Sequence, residues 1–133
     1  MINLIIAAHP DDEVLGCGGF IANRSSKEEC YVLILTGGAD GRYEDSMSNT
    51  LRQNSLDANR VLGTKDVYFE DLPNQKLETI PIIKVTQIIE KYIKKLNPAR
   101  IFTQHGGDIN RDHKVVYEAT MTATRAIVGQ VVQ

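Results

Sequence analysis

The sequence lacks a dominant charge of either sign: Lys and Arg number 15 against 17 Asp and Glu, a formal net of −2 with neutral histidines. No global basic field is available to hold nucleic acid or an anionic membrane, so the expected partners are small and neutral. Long apolar runs are missing too. INLIIAA near the start is far too short to span a bilayer and has no cationic segment ahead of it, which argues against a signal peptide and for a cytoplasmic protein. Cysteine is scarce. Cys17 and Cys30 fall in segments that read as helix and strand, and they are expected as core thiols rather than a disulfide. No internal repeat, low-complexity tract or linker divides the chain. Its 133 residues, 42% hydrophobic, suit one compact domain, 1–133, and not two.

What is present is an alternation. INLIIAA and YVLILT (31–36) are continuous, β-branched apolar runs of the kind covered on both faces, and DVYFED (66–71) and ARIFTQ (99–104) are shorter versions. Between them lie helical patterns over Val14 to Arg24, Thr50 to Leu62, Thr79 to Leu96 and Asp112 to about Ile127. The third is clearest: Ile82, Val85, Ile89, Tyr92, Ile93 and Leu96 recur at helical spacing, and Pro98 marks its end. Gly63 closes the second after Val61 and Leu62. Four rounds of strand and helix predict an α/β fold, a mostly parallel sheet with helices on both faces. Ligands of such sheets bind beyond the carboxyl ends of the strands. The polar clusters that follow the four strands (9–12, 37–42, 71–75 and 105–113) share that edge.

The first of these clusters sets a problem. AHPDDE puts Asp11, Asp12 and Glu13 at the mouth of the core. Adjacent ionised carboxylates near 4 Å repel by roughly 4 kcal/mol at an effective dielectric of 20. The N-terminus of the following helix offsets less than about 1 kcal/mol per group. A bound divalent cation would do far more. His9 and Asp12 are a mixed imidazole and carboxylate pair on one turn, suited to zinc or a neighbouring metal, and a catalytic zinc takes three protein ligands. The two other histidines, His105 and His113, both lie on the same edge, and either could complete the set. A plain turn with an aspartate helix cap is the competing reading of HPDD. A dinucleotide site is weaker, because GCGG does not fit G-x-G-x-x-G and three acids would repel a pyrophosphate.

AHPDDE after the first strand, TGGADGR after the second and GGDINRDHKVVYEA before the last helix together resemble the PIG-L/LmbE-like zinc deacetylases, along essentially the whole chain. The resemblance implies a three-layer Rossmann-like fold and removal of an N-acetyl group from an N-acetylglucosamine-type sugar conjugate. By position it implies His9, Asp12 and His113 as ligands to Zn2+ and Asp11 as general base. Many relatives place a histidine three residues before the last ligand, as oxyanion donor. Here Asn110 stands there, so His105 or Asn110 is expected in that role, with Asp112 orienting a histidine. Asp40 and Arg42 on the glycine-rich loop, and Arg52 and Asn74 in stretches that contact substrate in relatives, are the expected sugar contacts. The second helix departs from the pattern, reading RQNSLDANR where an acid is often found, and Glu13 is expected to be structural. Relatives generally continue past this length, so the chain is expected to lack a C-terminal part that walls the cleft. An uncovered sheet edge would favour a homo-oligomer. A truncated, non-catalytic sugar-binding or interaction module that retains the fold is the alternative function.

Overall fold

The computed structural model describes residues 1–37 and 46–125. The elements run β1 (Ile2–Ala7), α1 (Asp12–Arg24), β2 (Glu29–Thr36), α2 (Ser46–Leu62), β3 (Asp66–Leu72), a 3-10 turn (Leu77–Thr79), α3 (Ile82–Leu96), β4 (Arg100–Phe102) and α4 (Arg111–Ala123). The strands pair in parallel in the order β3-β2-β1-β4, giving the Rossmann-like α/β sandwich expected from the alternation.

The two central strands read as unbroken apolar runs because both of their faces are covered. Leu4, Ile6, Leu33 and Leu35 point to one side and meet Val85, Ile89 and Tyr92 of α3 and Val116 and Ala119 of α4. Ile5, Ala7, Cys30, Val32 and Ile34 point to the other and meet Ile21 and Phe20 of α1 and Leu62 of α2. Alternate strand residues thus feed two cores, each side chain contributing roughly 1.5–3 kcal/mol by leaving water. Cys30 is buried and Cys17 half-buried, both free thiols in the second core. Among the described residues no helix is long and apolar enough to cross a membrane.

Several boundaries differ from the sequence expectation, and the start of α3 has a clear local reason. α3 begins at Ile82 rather than Thr79, because Ile80 precedes Pro81 and is held extended at φ −92° and ψ 131°. Ile82 is accordingly 42% exposed and does not join the α3 face. At the other end Asn97, left-handed at φ 47°, stops the helix one residue before Pro98. β4 pairs with β1 only from Arg100 to Phe102, and Thr103 and Gln104 turn away from the ladder. α4 ends at Ala123, and residues 126–133 lie outside the described part.

Gly63 ends α2 at φ +83°, and a Cβ there would sit 2.6 Å from Ser25 Oγ and 2.9 Å from Ser25 Cβ. Gly63→Ala therefore combines an unfavourable backbone region with a collision between two loops. Urea denaturation is expected to show a loss of about 1–3 kcal/mol.

Candidate metal centre

The sheet order fixes where a site can form. From β1 the chain moves outward to β2 and β3, then crosses back to place β4 on the far side of β1. The loops after β1 and β4 consequently leave the sheet in opposite directions, opening a crevice between them. The turn after β1 and the start of α1 bring His9 and Asp12 to one wall of it, and the β4–α4 loop and the first turn of α4 bring Asp108 and His113 to the other.

Three donor atoms meet there. His9 Nδ1 lies 3.3 Å from Asp12 Oδ2, His113 Nε2 lies 3.2 Å from the same oxygen, and the two ring nitrogens are 3.2 Å apart. Tetrahedral donors on bonds of 2.0–2.1 Å are separated by about 3.3–3.4 Å, so this nearly equilateral triangle matches one face of a zinc-sized coordination shell. The outer nitrogens decide what the inner ones present. His9 Nε2–H donates to Asp112 Oδ2 at 2.9 Å, and His113 Nδ1–H donates to Asp108 Oδ2 at 2.8 Å. In its neutral form each imidazole therefore turns a lone pair toward Asp12. These three residues can hold a metal ion.

The electrostatics agree. Burial works to lower the His9 pKa, but its bonds to Asp112 and Asp12 outweigh that and push it up to about 9. Burial likewise works to raise Asp12, yet hydrogen bonds from His9 and the nearby His113 hold it below the ordinary carboxylate range. A cavity that draws a proton this strongly is one that favours a cation. Asp112 is fully buried, and it is kept low against burial by His9 Nε2 and by the backbone N–H groups of Leu77 (3.0 Å) and Gln75 (2.7 Å).

The other sequence candidates fall at varying distances from this centre. Asp11 adjoins it, exposed, at φ 138°, a region that costs a non-glycine residue of order 1–3 kcal/mol. Burial and the Asp12 charge push its carboxyl above the usual range, with His9 opposing. Asn110 caps α4, its Oδ1 accepting from the N–H groups of Asp112 (2.9 Å) and His113 (3.4 Å). His105 is exposed on the loop and is not one of the three converging residues. Its Nδ1 accepts from Gly107 N at 3.2 Å, which leaves the proton on Nε2. Arg52 pairs with Asp71 at the end of β3 and lies over the Phe69 ring, 5.2 Å from its centroid. Asn74 is buried beside Gln75. Asp40 and Arg42 lie outside the described residues.

Sequence reasoning missed Asp108 and Gln104, whose Nε2 donates to Asp12 Oδ2 at 2.8 Å, and the backbone of Gln75 and Leu77. Asp108 had a signal, since a liganding histidine needs a partner for its other nitrogen and this acid stands five positions before His113. Gln104 had none beyond its place at the end of a strand.

A family model described as PIG-L, GlcNAc-PI de-N-acetylase, matches residues 4–124. The chain belongs to the PIG-L family. It is 32% identical, over 93% of its length and 68% of the other chain, to a protein of Escherichia coli K12 named uncharacterized deacetylase YaiS. To a probable N-acetyl-α-D-glucosaminyl L-malate deacetylase 2 of Bacillus cereus it is 28% identical, over 90% of this chain and 59% of that one. The N,N'-diacetylchitobiose deacetylase structure from Pyrococcus horikoshii superposes with a TM-score of 0.82 at 24% identity, covering 92% of this chain and 49% of that one. The chain thus spans about half the length of that solved relative and shares its fold.

The geometry separates ligands from their supports. His9→Ala and His113→Ala are each expected to abolish stoichiometric zinc binding in competition with a chromophoric chelator. Asp108→Ala keeps all three donors and is expected to weaken binding about 10- to 100-fold.

Proposed function

We propose that this PIG-L family chain is a metal-dependent hydrolase that removes the N-acetyl group from an N-acetylglucosamine-type sugar conjugate. The observation that carries this reading is the triangle of His9, Asp12 and His113, each imidazole locked by its own carboxylate. Both curated relatives are named deacetylases, and one name specifies an N-acetylglucosaminyl conjugate, which supports the choice of substrate class. Zn2+ suits the donor set; bound there, it supplies Lewis acidity that lowers the pKa of water toward about 7 and polarises the amide carbonyl.

The chain's own residues carry the rest. Asp11, beside the ligands and outside their triangle, takes the proton of the attacking water and returns it to the departing amine. The raised pKa of Asp11 favours the accepting half of that transfer, since a carboxylate of low pKa is a weak base. Asp112 keeps His9 in the liganding tautomer. Negative charge developing on the carbonyl oxygen needs a donor. His105 offers Nε2–H, whereas Asn110 has its oxygen committed to the α4 cap and can offer only its NH2 group. His105 is therefore the preferred donor. Asp40, Arg42, Arg52 and Asn74 are assigned to the sugar, with Arg52 held for that purpose by Asp71 and Phe69.

Acetate release from a panel of N-acetylglucosamine conjugates tests the reading. Turnover is expected with zinc present, and zinc bound without turnover on any conjugate would point instead to a sugar-binding module. Asp11→Asn is expected to lower kcat by on the order of 10²- to 10⁴-fold with metal content intact. Of His105→Ala and Asn110→Ala, the variant that removes the oxyanion donor loses on the order of 10²- to 10³-fold in kcat. His105→Ala is expected to be that one.

A further inference from the structure

Glu13 is 1% exposed, and no ion pair reaches it among the described residues. Its charge is met entirely by hydrogen-bond donors. Oε1 accepts from Ser55 Oγ at 2.6 Å and Asn59 Nδ2 at 2.8 Å, both on α2 and both buried. Oε2 accepts from the backbone N–H of Asp11 at 3.0 Å. Asn59 is fixed in turn, since Nδ2 also donates to Ser55 O at 3.0 Å and Oδ1 accepts from Thr64 Oγ1 at 2.7 Å. A relay of hydrogen bonds thus runs from the far end of α2 to the turn that carries Asp11.

A buried carboxylate is a costly way to join two helices, which an apolar residue would do without desolvation. What only an acid achieves here is acceptance on two opposite fronts. One front is α2, a separate helix that supplies Ser55 and Asn59. The other is the amide of the one residue in this turn whose φ is positive. Released from that grip, Asp11 would relax toward negative φ, rotating its Cβ about the N–Cα bond and carrying its carboxylate away from His9 and Asp12.

We propose that Glu13 is a positioning residue acting through Asp11: anchored by Ser55 and Asn59, it grips the Asp11 amide and holds the strained turn that aims the Asp11 carboxylate at the metal centre. The proposal rests on the reading of Asp11 as the group that moves the proton. Displacing a reacting group by about 1 Å costs on the order of 10²-fold in rate, which sets the expected size of the effect.

Glu13→Gln preserves volume but leaves one acceptor oxygen for two sets of donors, so either the Asp11 amide or the Ser55 and Asn59 pair loses its acceptor at position 13. Three readouts test it: kcat and KM on a turned-over conjugate, zinc content, and hydrogen exchange at the Asp11 amide in metal-free protein. The expected pattern is a kcat lower by on the order of 10²-fold with KM and zinc content unchanged. Exchange at Asp11 should be faster by roughly tenfold or more while that of Ile21 in the same helix holds, as a local opening requires. Because the effect passes through Asp11, Glu13→Gln should cost nothing further in an Asp11→Asn background. Ser55→Ala, which loosens only Oε1, should give the same pattern at smaller amplitude and serves where Glu13→Gln does not fold. An undiminished kcat loss in the Asp11→Asn background, loss of zinc, or unchanged exchange at Asp11 would each overturn the proposal. Full turnover by Asp11→Asn would remove Asp11 from proton transfer and the positioning role with it, and faster Asp11 exchange in Glu13→Gln would still show that the grip itself exists.

Discussion

Buried negative charge requires a positive or hydrogen-donating neighbour, and the carboxyl edge of this sheet is organised around meeting that requirement. Asp112 and Glu13, at 0% and 1% exposure, are answered wholly from within: Asp112 by His9, Gln75 and Leu77, Glu13 by Ser55, Asn59 and Asp11. Asp12 is answered only partly. The His9 amide and Gln104 donate to its Oδ2, and the inner nitrogens of both imidazoles lie within 3.3 Å of that same oxygen. The place where a cation could complete that balance is the centre of the triangle.

Convergence of residues 104 positions apart follows from strand order. Had β4 been added beyond β3, two strands would separate the α4 loop from His9. Its placement on the other side of β1 brings both walls of the crevice to the central strand. The early departure of Thr103 and Gln104 from the ladder is part of the same arrangement. A β4 that continued in register would direct Gln104 along the sheet instead of across to Asp12.

Much of this was legible in the sequence because its signals were redundant. Unbroken apolar runs, helical spacing and a histidine-aspartate pair at a strand end all indicated the same edge, so the fold, His9 and Asp12 emerged from pattern alone. The choice between His105 and His113 did not. Both follow the same strand, and the deciding quantity is the direction of a ring, set by Asp108 and by the start of α4 at Arg111. Asn110 shows the limit from the other side: a residue read as an oxyanion donor has its oxygen engaged in capping, a role that its place ahead of α4 equally permits. Glu13 was read as structural from its position in the first helical turn, but its reach back to Asp11 depends on α2, which no spacing in the first fifteen residues encodes. The start of α3 was misplaced because the restriction Pro81 imposes on Ile80 outweighs the apolar period that runs through it.

One oxygen joins the metal side of the site to the side expected to meet the sugar. Asp112 Oδ2 accepts both from His9 Nε2 and from the backbone N–H of Gln75, a residue at φ +57° next to Asn74. A side-chain amide at position 75 also stands 3.4 Å from His9 Nε2. The segment after β3 therefore cannot shift without altering the bond that fixes the His9 tautomer. The sugar recognition proposed for that loop and the ligation proposed for the β1 end would thus rest on the same buried carboxylate rather than on separate parts of the fold. A substitution in the 73–77 segment would have to leave the Gln75 amide where it is to spare the His9 bond, and that restricts tolerant changes to side chains pointing away from Asp112.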